Sequence, residues 1–299
     1  MMPFDYFDPR TLDEAVALLH AADGQASLLA GGTDLLVQMR EHVRRPARVI
    51  DLKKIPGMDD FVYDAKDGLL LGALVTTRQV ETSPVTLRHY AGLAKAATDF
   101  ASIQVRHRAT VAGNVCRASP SADTLPPLIA DGAVLRIRGS AGERRCAVQD
   151  FCTGPGRTTL APDEIVTHIE IPPPPPRTGK AYIKHGRRAQ MELATVGAAV
   201  RLTLAGDGRV ADLAIVLAAV APTPLRAVQA EAELRGWAPT PQRLAEAAQA
   251  ASDESRPIGD VRGSADYRRE MVRVLTRRAL EQALQQATQG ACEDTGAHA

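Results

Sequence analysis

Four cysteines, Cys116, Cys146, Cys152 and Cys292, are scattered through 299 residues with no C-x-x-C pair, so an iron–sulfur cluster or structural zinc on this chain is not expected. The seven histidines form no H-x-x-x-H pair and no G-x-S-x-G stretch occurs, which removes the starting residues of a metallohydrolase or a serine hydrolase. Net charge is nearly absent: 36 Lys plus Arg face 35 Asp plus Glu, and the resulting +1 marks no nucleic-acid or anionic-membrane partner. Met1 to Asp8 carry no basic stretch leading into an apolar one, and the longest apolar run, Leu213 to Pro222, is too short to span a bilayer. No membrane insertion and a cytoplasmic location are therefore expected. The spacings G-x-G-x-x-G and G-x-x-x-x-G-K are also missing, so neither a Rossmann site nor a P-loop is supported.

Two glycine-centred turns are present, Ala30-Gly31-Gly32-Thr33-Asp34 and Thr110-Val111-Ala112-Gly113-Asn114. Each is small enough for backbone N–H groups to touch a phosphate and is followed by a possible helix start, an arrangement that binds anions. A lone Gly-Gly pair is more often just a tight turn. Thr11-Leu12-Asp13-Glu14 reads as a capping box opening a helix over 11–21, and a strand over 28–30, a helix over 34–39 and a strand over 47–52 complete a small α/β unit. A second unit is expected from the strand at 68–73, with helices over 76–81, 88–98 and 123–130 and strands over 133–137, 144–148 and 164–171. Pro172 to Pro176 cannot continue a strand ladder and mark a boundary. Beyond them, apolar stretches at 194–204 and 213–220 around Ala205-Gly206-Asp207-Gly208 read as a hairpin, followed by helices over 226–235, 241–252 and 264–287. Strands followed by helices make the chain α+β.

The second turn lies within Gln104-Val105-Arg106-His107-Arg108-Ala109-Thr110-Val111-Ala112-Gly113-Asn114, with Ala118-Ser119-Pro120-Ser121-Ala122-Asp123 after it. This stretch resembles the FAD-binding medium subunit of the molybdenum hydroxylases, the family of carbon monoxide dehydrogenase and xanthine dehydrogenase. Phe151-Cys152-Thr153-Gly154, Asp163-Glu164-Ile165, Ile169-Glu170-Ile171-Pro172 and the run from Ala218 to Arg226 are similar to further segments of that family, in the same order. Two positions depart from its usual pattern: Ala112 stands where glycine is common and His107 where asparagine is common. The four-cysteine segment with which some members hold a [4Fe–4S] cluster has no counterpart here.

The resemblance implies a two-lobed FAD-binding domain of the vanillyl-alcohol oxidase (PCMH) type over 1–175, with lobes of about 1–57 and 58–175. A smaller antiparallel-sheet-plus-helices domain over 177–288 and a flexible tail over 289–299 follow. It also implies that Leu28, Leu29, Ala30, Gly31, Gly32, Thr33, Asp34 and Leu35 wrap the FAD diphosphate, and that Thr110, Ala112, Gly113 and Asn114 complete the cradle, with the closest contact at Gly113. Asp123 would accept from ribose or ribityl hydroxyls, its other reading being an N-cap for the following helix. Lys184 would sit near the flavin; without the resemblance it is a surface lysine. The implied function is electron transfer through non-covalent FAD, between a small [2Fe–2S] subunit and an external acceptor. Substrate chemistry falls to a large molybdopterin subunit, and the whole forms a dimer of heterotrimers in which this chain holds no catalytic acid or base and no metal. Two alternatives stay open on the residues alone. A self-contained flavin oxidase or dehydrogenase of the same fold would need its own base over the flavin, and an FAD-free structural subunit would lack a visible spectrum.

Overall fold

The structure, a computed structural model, describes the backbone of residues 1–296 and the side chains of residues 1–289. Its first layer is a three-stranded parallel sheet in the order β1-β3-β2, with β1 at Asp5–Phe7, β2 at Ala26–Leu29 and β3 at Arg48–Asp51, and with α1 (Leu12–His20) and α2 (Leu35–Arg40) between them in the chain. The sequence gives no sign of β1, because three residues with two of them exposed show no alternation to read. At α1 the Thr11 hydroxyl accepts from the Glu14 N–H at 3.1 Å, whereas the Glu14 carboxylate returns to the N–H of Arg10, one residue earlier than a capping box requires.

A five-stranded antiparallel sheet follows, in the order β4-β5-β10-β6-β7. Its strands are β4 (Phe61–Asp64), β5 (Gly68–Gly72), β6 (Val134–Gly139), β7 (Gly142–Ala147) and β10 (Ile165–Ile171), while β8 (Cys152–Gly154) and β9 (Arg157–Thr158) pair separately after α9 (Val148–Phe151). Between β5 and β6 lie α3 (Thr77–Thr82), α4 (Pro84–His89), α5 (Ala91–Asp99), α6 (Ile103–Arg106), α7 (Val111–Arg117) and α8 (Leu125–Ala130). The single helix expected over 88–98 is interrupted at Tyr90. That side chain is fully buried, with its hydroxyl donating to the carbonyls of Ile171 at 3.3 Å and Pro172 at 3.1 Å, and its backbone leaves the helical region to get there. α8 starts at Leu125 rather than Asp123, with Pro126 and Pro127 in the first turn, where a missing N–H costs nothing.

Residues 172–177 lie outside any strand, and a four-stranded antiparallel sheet comes after them, β11 (Thr178–His185), β12 (Val196–Leu204), β13 (Val210–Ala218) and β14 (Leu225–Arg226) in spatial order. One face of it, with Tyr182, Ala199, Ala214 and Val216, joins the core of the preceding sheets. The other face, with Ala198, Val200, Leu202, Ile215 and Leu217, packs on α10 (Val228–Leu234), α11 (Pro241–Glu254) and α12 (Ala265–Gly296). Residues 289–296 of the expected tail continue α12, and 297–299 lie outside the described residues. The architecture is α+β, as the order of elements implies. Among the described residues, no helix is long and apolar enough to cross a membrane.

Candidate functional site

The first glycine turn connects β2 to α2. Leu28 and Leu29 end the strand, Gly32 takes a left-handed φ of +75° that a side chain would strain, and Asp34 precedes the first helical residue, Leu35, without capping it through its side chain. The N–H groups of Gly31, Gly32, Thr33 and Asp34 find no acceptor among the described residues, while the Gly32 carbonyl accepts from Leu36 at 3.0 Å. Four consecutive donors without a partner are the chemistry that an anion nest requires.

The segment leading into the second turn, Arg108–Ala109, lies directly against the first. A Cβ on Gly31 would overlap the carbonyl oxygen of Arg108 and come within 2.8 Å of its carbonyl carbon and 3.0 Å of Ala109 Cα, so only glycine lets the two main chains meet. This second segment is pinned from behind, with Ala109 accepting from Thr77 N–H at 2.9 Å and Val111 donating to Val75 at 3.1 Å. It follows a short helix, α6. Arg106, within the recognised motif, is buried and pairs with Glu81 at 2.8 Å and the Phe100 carbonyl at 3.0 Å, so its place in the motif holds the turn in position.

Gly113 is not free for the close contact expected of it. Thr110 caps α7 and its hydroxyl accepts the Gly113 N–H at 2.9 Å, as an N-cap threonine does for the third residue of a helix, and Asn114 N–H returns to the Thr110 carbonyl at 3.0 Å. The donor left without a partner among the described residues in this first helical turn is that of Ala112. Asn114 is turned inward, its Oδ1 accepting from the Thr124 hydroxyl at 2.7 Å, and so ties α7 to the start of α8. On the outer side, Arg117 reaches Asp34 at 3.4 Å, an exposed link between the two turns.

Asp123 and Lys184, singled out for separate roles, are each other's partners. The Lys184 ammonium donates to Asp123 Oδ2 at 2.8 Å and to the Asp99 carbonyl at 3.1 Å, and both side chains are 8% exposed. Lys184 is therefore no surface lysine, and Asp123 does not cap α8, whose N-cap is Thr124. Tyr182, which the sequence reading missed, donates its hydroxyl to Asp123 Oδ1 at 2.9 Å. Burial pushes the Asp123 carboxyl above its ordinary value, against the pull of Lys184 and Tyr182, and burial, with Asp123 beside it, raises the Tyr182 hydroxyl well above its ordinary value. A cavity of about 390 Å³ opens beside Lys184, lined also by Lys95, Asp99, Arg187 and Glu192. A larger cleft of about 680 Å³ lies elsewhere, between Leu12, Ile55 and Met58 on one side and Arg136, Arg145 and His168 on the other, and neither glycine turn lines it.

Residues 2–174 match the family described as the FAD binding domain in molybdopterin dehydrogenase, and residues 181–283 match the CO dehydrogenase flavoprotein C-terminal domain. The chain is 31% identical over 280 residues to the putative xanthine dehydrogenase FAD-binding subunit XdhB of Escherichia coli, covering 93% of this chain and 95% of that one. Among solved structures it is similar to carbon monoxide dehydrogenase from Hydrogenophaga pseudoflava, with a TM-score of 0.91, 35% identity and coverage of 96% and 99% of the two chains. Quinoline 2-oxidoreductase from Pseudomonas putida is also similar, with a TM-score of 0.89, 30% identity and coverage of 96% and 98%.

Proposed function

The chain belongs to the FAD-binding subunits of the molybdenum hydroxylases, and from that premise we propose that it is the electron-transfer flavoprotein of a cytoplasmic oxidoreductase complex. In this reading it relays electrons between a small [2Fe–2S] subunit and an external acceptor, while a large molybdopterin subunit works on the organic substrate, in a dimer of heterotrimers. The observation that carries the reading is the row of N–H groups from Gly31 to Asp34 that have no partner among the described residues, with Gly31 held against Arg108–Ala109.

The residues present fit FAD. The two turns would hold its diphosphate through backbone donors, which need no side chain and tolerate none at Gly31. Asp123, with its carboxylate oxygens each bonded once, keeps acceptor capacity for ribose or ribityl hydroxyls. Bound flavin would supply both one- and two-electron redox chemistry, which matches a single-electron donor to a two-electron acceptor. The chain's own part is then binding, orientation and exclusion of water.

FAD held this way is non-covalent. Acid precipitation of the purified protein is expected to release the yellow chromophore into the supernatant; flavin left in the pellet would contradict that. A purified complex with no flavin at all would contradict the whole reading.

A further inference from the structure

The segment leading into α8 is held from the third sheet at two points. The N–H of Ala219 donates to the Pro120 carbonyl at 2.8 Å, and Tyr182 and Lys184, two residues apart on one face of β11, take one carboxylate oxygen of Asp123 each. Tyr182 is 1% exposed, and room for its ring is made by the strand next to it. A Cβ on Gly197, which faces Lys184 across the ladder, would come 3.0 Å from the Tyr182 hydroxyl and 3.4 Å from its ring. Lys184 is likewise fixed, bridging Asp123 to the Asp99 carbonyl at the end of α5.

We propose that Tyr182 and Lys184 are positioning residues for the Asp123 carboxylate, through which the third sheet, carrying neither glycine turn, sets how tightly the chain holds FAD. This rests on the proposed reading of the two turns as the FAD site and of Asp123 as an acceptor for FAD hydroxyls. A carboxylate whose oxygens each have one partner keeps lone pairs to accept from ligand hydroxyls as an anion; once protonated it presents a donor where an acceptor is wanted. The groups facing Asp123 are Lys184 and Tyr182 from β11, which favour the anion, and Asp99 from α5, which opposes it and is itself paired with Lys95 at 2.6 Å. Removing the tyrosine hydroxyl takes away one of the two supports without adding bulk, so protonation of Asp123 should extend to higher pH and weaken FAD binding there.

The test is FAD affinity of the full-length chain, measured by titration of the apoprotein across mildly acidic to alkaline pH. Wild type is expected to lose affinity as pH falls. Tyr182→Phe should bind about tenfold more weakly near neutrality, the loss expected for a hydrogen bond to a charged group. Its affinity should begin to fall at a higher pH than that of wild type and recover toward wild type in alkali. Lys184→Arg should retain affinity that Lys184→Met loses. Should Tyr182→Phe not fold, Gly197→Ala, which crowds the same hydroxyl, is expected to give the same upward move. An unchanged affinity, or a loss uniform across pH, would overturn the proposal while leaving the FAD site standing. A wild-type chain that binds no FAD would overturn the site reading and this inference with it.

Discussion

Gly31→Ala is expected to abolish FAD retention. The new methyl would overlap the Arg108 carbonyl and crowd Ala109, and because what it meets is main chain pinned by Thr77 and Val75, the second turn cannot step aside. The two segments must separate, at a cost of about 1–3 kcal/mol in packing alone, and the row of donors then moves off Arg108–Ala109. Visible absorbance of the purified protein checks this, with about one flavin per chain expected for wild type and close to none for the variant. Gly113→Ala is the control. There a Cβ meets only the Thr110 hydroxyl, at 2.8 Å, so the expected cost is the N-cap, about 1 kcal/mol, with flavin retained. Full occupancy in Gly31→Ala would mean that the first turn is not the phosphate cradle.

Asp131→Ala is expected to destabilise the chain by about 3–5 kcal/mol, because it strands a buried cation. Lys180, 5% exposed, lies 2.8 Å from the Asp131 carboxylate and over the face of Tyr90 at 4.2 Å, joining α8 to β11 at the opposite end from Asp123. Burial already pushes the Lys180 ammonium below the ordinary lysine range, with Asp131 pulling the other way. A lysine whose folded pKa lies below its unfolded one binds its proton less readily in the native state, so stability rises with pH between the two values. Without Asp131 that window widens downward, and the deficit should shrink in alkali. Thermal melting is expected to show a fall of about 10 °C near neutrality, and Asp131→Leu combined with Lys180→Met should regain most of it. A single variant as stable as wild type would show that the pair contributes little to joining α8 to β11.

The glycine turns were legible because local chemistry writes them. Gly31 and Gly32 between an apolar strand and a helix, and Thr110 three residues before Gly113, are signals read within a few positions. What each backbone group does there was not, since the Thr110 cap that makes α7 start also takes the donor at Gly113 and leaves Ala112 without a partner among the described residues. β11 escaped notice because it follows a proline run and its inward residues include Lys180 and Lys184, which break any apolar alternation. With that strand unread, the partnership of Asp123 with Tyr182 and Lys184, across about 60 residues, had no local trace. Buried charge of this kind is paid for by its partner, and the partner is a property of the fold. The break at Tyr90 belongs to the same class, set by a hydroxyl reaching carbonyls on β10 and the residue after it.

Reduction of the flavin by substrate tests the central claim most directly. The purified chain loaded with FAD should be bleached by dithionite and left unchanged by the organic substrate of the proposed complex, and addition of the proposed iron–sulfur and molybdopterin subunits should restore substrate-driven bleaching. Rapid bleaching by substrate with this chain alone would contradict the account and make it a self-contained flavin dehydrogenase.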